Sequence, residues 1–120
     1  MQMTSENRLF LMCRRNGFNS PVEERLEFGY RRFRIDTRSY EETSAVRYLL
    51  SRSRDFSIVR VWKCSGGGFF EGCVYVMETK DYTEYTSKMD EKMAQIEDWW
   101  QRYHVADEET RRLMACGAIA

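Results

Sequence analysis

The sequence predicts an α+β fold in the order ββαββα, a four-stranded antiparallel sheet with helices packed on one face. Three observations carry that expectation. Stretches dense in aromatic and β-branched residues, residues 56–64 (FSIVRVWKC) above all, read as strands. Two capping boxes, Ser39-Tyr40-Glu41-Glu42 and Asp81-Tyr82-Thr83-Glu84, each follow such a stretch and open a helix. Behind the second box Tyr82, Tyr85, Met89, Met93, Ile96, Trp100 and Tyr103 recur at steps of three and four, a sustained helical stripe.

Taken in order, residues 8–13 (RLFLMC) form a short apolar run closed by the turn signal Arg14-Arg15-Asn16-Gly17, and read as the first strand. Residues 26–36 read as the second. There Leu26, Phe28 and Tyr30 share one phase and Phe33 and Ile35 the other, and the break near residues 29–32 reads as a bulge. The first helix carries Ala45, Val46, Leu49 and Leu50 on one face and fades near Ser53. Residues 56–64 and 73–79 are the third and fourth strands, joined by the flexible Ser65-Gly66-Gly67-Gly68. The long helix ends near His104. Asp107 then caps a short last helix with Leu113 and Met114 inward and Gly117 as its stop.

At 120 residues the chain suits a single domain, 1–120, with ββα halves at 8–54 and 56–104 and the short helix at 107–116. The halves are alike. Residues 35–42 and 77–84, offset by 42, both run apolar, acid, Thr, base, cap, Tyr, any residue, Glu. Internal duplication explains this, and so does convergence, because any strand-to-helix junction favours a capping box.

Composition narrows the function classes. The 42% apolar and 32% charged residues fit an ordinary globular protein, and 17 aromatics argue against disorder. No apolar run approaches the roughly 20 residues of a membrane span, and residues 1–12 lack a secretory signal. A cytoplasmic location and free thiols are therefore expected, with a Cys64–Cys73 disulfide as the alternative. Four cysteines without a C-x-x-C pair and a single histidine offer no zinc spacing, so neither a metal nor another cofactor is expected. His104 beside Asp107 and Glu108 could serve as a general base, but no Ser or Cys nucleophile sits in a motif. It reads instead as a favourable charge at a helix C-terminus. Ser65–Gly68 lacks the Gly-Lys-Ser/Thr ending of a phosphate loop. Net charge is zero but unevenly placed: residues 1–63 hold 13 basic and 8 acidic side chains, residues 64–120 hold 6 and 11.

Strand alternation then points to an interface. Leu9, Leu11, Phe33, Ile35, Ile58, Trp62, Tyr75 and Met77 are placed under the helices. That leaves Val59, Val61, Val74 and Val76 on the open face with Arg32 and Arg34 at its rim. Four exposed valines make an apolar patch of a few hundred Å2, of the kind that marks an interaction site. The alternative puts the valines inside and Arg60, Trp62 and Tyr75 outside. On the long helix Trp99 is a flank residue or an exposed anchor, beside a buried Trp100. The expected function is a small non-catalytic protein-binding module or inhibitor, in the manner of compact phage-encoded host-interacting proteins. Its partner would be another protein or a second copy in a homodimer, with no membrane involved. RNA binding through an Arg/aromatic sheet face is the first alternative. Residues 68–76 faintly resemble the aromatic RNP1 segment of RNA-recognition domains, without its basic start, with Glu71 inside it, and outside the βαββαβ order. An enzyme with no readable motif is the second.

Overall fold

The computed structural model describes residues 3–117. Its elements are α1 (Ser5–Arg15), β1 (Val22–Arg25), β2 (Arg31–Thr37), α2 (Tyr40–Ser51), β3 (Phe56–Gly66), β4 (Phe69–Glu78), α3 (Thr79–Val105) and α4 (Glu108–Ala115), with one 3-10 turn at Glu27–Gly29. The four strands make one antiparallel sheet in the order β1-β2-β4-β3. The fold is α+β with a four-stranded antiparallel sheet, as the sequence predicts.

The first strand, however, is not at residues 8–13. Those residues lie in α1, whose N-cap Thr4 accepts a hydrogen bond from the Asn7 N–H at 3.1 Å. A short apolar run reads equally well as strand or helix, and here the cap decides. Leu9 and Cys13, four apart on one helical face, are buried, while Phe10 is exposed. The outer strand is instead the polar β1. It pairs with β2 from Val22↔Arg34 to Arg25↔Arg31. The phase break near residues 29–32 is thus a chain reversal and not a bulge: the Leu26 N–H donates to the Tyr30 carbonyl at 2.8 Å, with Phe28 and Gly29 at φ 63° and 80°.

Two local features fix the other hairpin. Gly67 and Gly68 both adopt positive φ, 57° and 81°, the requirement of a two-residue reversal whose twist matches its strands. Gly66 therefore faces Phe69, and the register runs Cys64↔Glu71, Trp62↔Cys73, Val61↔Val74. Cys64 does not face Cys73, and both thiols are free. Further along, the ladder steps from Ile58↔Val76 to Arg60↔Tyr75, leaving Val59 as an extra residue at a bulge. The bulge shifts the alternation by one. Phe56 and Ile58 point to the same face as Val61, not to that of Trp62.

That face is the core. Phe33 and Ile35 of β2 pair with Val76 and Val74 of β4, and all four are buried. Leu9 and Cys13 of α1, Val46 and Leu50 of α2, and Phe56 of β3 close over them, with Ile58 and Val61 packed at the margin. Desolvation there pushes the Cys13 thiol up to about 11. Among the described residues Thr37 and Thr43 are the buried polar side chains, their hydroxyls 2.7 Å apart.

The chain divides into two compact units between Tyr85 and Thr86. The first contains the sheet, α1, α2 and the start of α3, where Tyr85 meets the edges of Phe28 and Tyr30 and the Tyr30 hydroxyl donates to Glu84. The second contains the rest of α3 and α4. Asp107 caps α4, accepting from the Thr110 N–H at 2.8 Å, and this bond holds its carboxyl below the ordinary range. Arg111 reaches back to the carbonyls of Tyr103 and His104 at 3.0 and 2.8 Å.

Candidate interaction surfaces

Two of the four valines read as an exposed patch, Val74 and Val76, are fully buried. Val61 packs against the core, and Val59 is half-buried in the bulge. The error lay in grouping Phe33 and Ile35 with Trp62 and Tyr75: across the ladder they pair with Val76 and Val74, so these valines share their face. The bulge adds a second slip, setting Ile58 with Val61 and not with Trp62. The other face is open in part: Arg60 and Trp62 are exposed and Tyr75 half-buried, while Cys73 and Met77, which alternate with Tyr75 along β4, are buried.

Arg32 and Arg34 do lie on that open face, and the structure brings them together. β1 places Glu24 opposite Arg32 and beside Arg34. Arg32 donates to Glu24 at 3.2 Å, and its guanidinium lies 4.2 Å from the centre of the Tyr75 ring. Arg34 sits 2.9 Å from Asp36 and 3.5 Å from Glu24. Its hydrogen bond to Asp36 raises its pKa above the ordinary arginine value. Glu24 escaped the sequence reading because β1 has no apolar run to announce it, whereas Asp36 lies in a strand that was read but was not singled out as a partner of Arg34. A depression of about 420 Å3 opens here between Arg34, Asp36, Trp62, Phe70 and Tyr75. Its charges largely cancel, which leaves an amphipathic face without a strong field.

The second surface lies on α3. No residue of this 27-residue helix is buried. Met93 is 56% exposed, Ile96 40% and Trp100 49%. The expectation that this stripe forms core, with Trp100 inward, is therefore corrected. Trp99 is half-buried, stacked on Tyr103 with ring centres 5.2 Å apart, while Trp100 meets both Trp99 and Tyr103 edge-on. A depression of about 400 Å3 lies among Lys92, Gln95, Ile96 and Trp99. On α4 Met114 is buried as expected, but Leu113 is 40% exposed. Nothing in the residue pattern separates a stripe that joins a core from one that is left open; the period is the same.

Among the described residues no three His, Cys, Asp or Glu side chains gather so as to hold a metal ion, and no helix is long and apolar enough to cross a membrane. No family model, curated protein or solved structure matches the chain.

Proposed function

We propose that this chain is a non-catalytic protein-binding module that acts by occupying a partner's surface, with the apolar stripe of α3 as its docking element. The observation that carries this reading is the simultaneous exposure of Met93, Ile96 and Trp100 on one helical face. Apolar side chains about half exposed still forgo on the order of 1 kcal/mol each relative to full burial, so covering the stripe favours association. A helix presenting anchors at three- and four-residue steps is a recurrent recognition element, read by an apolar groove or by another helix. Trp99 and Trp100 supply the aromatic area in which binding energy tends to concentrate.

The open sheet face supports this reading less, and supports RNA binding less still. Arg32 and Arg34 are already engaged by Glu24 and Asp36, so their charge is largely neutralised before a phosphate backbone could meet it.

The test is affinity capture with the tagged full chain, comparing wild type with Ile96→Asp. The stripe is exposed, so the variant should keep its circular dichroism spectrum while losing its captured protein. Unchanged capture would remove α3 as the docking element.

A further inference from the structure

We propose that the α3 stripe takes a second copy of this chain, the two helices lying side by side and parallel; this rests on the reading of the stripe as the docking element. Within the second unit the residues of the stripe are Met89, Met93, Ile96, Trp100 and Tyr103, at steps of four, three, four and three. These are the alternating seam positions of a helix pair, Met93 and Trp100 at a, Met89, Ile96 and Tyr103 at d. An apolar seam alone would suit many partners.

The flanks select the second copy. On one side of the seam, at the e positions, lie Asp90 and Glu97; on the other, at g, lie Lys92 and Trp99. Parallel pairing brings each g residue to the e residue five positions further along the other helix. Lys92 then meets Glu97 of the partner subunit, and symmetry makes that ion pair twice. Trp99 meets His104 of the partner subunit by the same rule. Antiparallel pairing sets e against e and g against g instead. Asp90 and Glu97 would then face the partner's own carboxylates, and the acidic flank would repel itself. The remaining charges stay clear of the seam: Glu91 and Asp98 lie on the opposite side of the helix, where Asp98 pairs with Arg102 at 3.2 Å. The charge pattern is thus self-complementary in one orientation only.

Sedimentation equilibrium on the full chain tests this. Wild type should show a concentration-dependent dimer. Lys92→Glu and Glu97→Lys should each raise the dissociation constant by about tenfold, because each turns two attractive rim pairs into two repulsive ones. The double substitution should restore wild-type association, since it rebuilds the pair with its signs exchanged. Glu91→Lys, on the far side, should change nothing. All four are surface changes that leave the circular dichroism spectrum intact. A wild-type chain that stays monomeric at high micromolar concentration overturns the second-copy proposal. If Ile96→Asp still abolishes capture, the docking reading survives that result. A dimer indifferent to Lys92→Glu and Glu97→Lys, or one not rescued by the double substitution, overturns the parallel pairing.

Discussion

Gly72 shows how closely two strands can constrain one residue. It sits on β4 opposite Thr37 of β2. A Cβ at this position would lie 2.7 Å from the Thr37 Oγ1 and 2.9 Å from the Phe70 ring. Thr37 cannot swing aside freely. The Thr43 hydroxyl already donates to the Ser39 carbonyl at 2.9 Å, so the Thr37 hydroxyl donates to Thr43, and both threonines are buried. Moving Thr37 would leave a buried hydroxyl without its partner. Gly72→Ala should therefore destabilise the chain by about 1–3 kcal/mol, the usual effect of overfilling a packed site. A lower midpoint in chemical denaturation checks this; an unchanged midpoint would mean that Thr37 and Phe70 yield at no cost.

At the level of elements, the correction of the sheet faces makes a sharp contrast between two apolar residues. Val76 is fully buried between Phe33 and Ile58, its neighbours across the ladder. Val76→Glu should cost roughly 4 kcal/mol or more, enough to unfold a marginally stable domain, because it places a carboxylate where nothing can solvate it. Trp100→Ala, on an open stripe, should shift the unfolding free energy of the monomer by about 1 kcal/mol or less. Thermal denaturation of the two variants reads both. Equal losses would contradict the burial pattern. The contrast also shows what the sequence carries. Periodicity located α2, β3, β4 and α3, and the Ser39 capping box opens α2 as read. Asp81, however, lies inside the first turn of α3, which begins at Thr79, and does not cap it. The Arg32/Arg34 phase pointed to the open side. Periodicity could not locate β1, whose Val-Glu-Glu-Arg has no apolar alternation to follow. Nor could it register the Val59 bulge, which reverses the faces of half a strand through one unpaired residue. The candidate site failed earlier, where Phe33 and Ile35 were grouped with Trp62 and Tyr75 although they pair with Val76 and Val74. Local pattern gives each strand two faces, but which one is covered depends on pairing between distant segments.

Across the whole molecule, burial is unevenly shared, and stability should follow it. The sheet unit holds the contiguous core from Leu9 to Val76. In the second unit α3 has no buried residue, and Met114 of α4 is the one described side chain that is buried. A helix with so little packing relies on its own hydrogen bonds and opens locally at a small fraction of the global unfolding free energy. Hydrogen exchange should accordingly find the amides of β2 and β4 protected to near the global limit and those of residues 86–105 exchanging much faster. Pairing through α3 adds a second expectation. Association stabilises only the segment it covers, by an amount that grows with concentration. Protection across residues 89–103 should then rise as the protein is concentrated, while the sheet stays constant. If α3 is instead protected as strongly as β4 in dilute solution, the stripe is already covered within one molecule, and the docking reading loses its foundation. If its protection is low and independent of concentration, the stripe remains open to a partner other than a second copy.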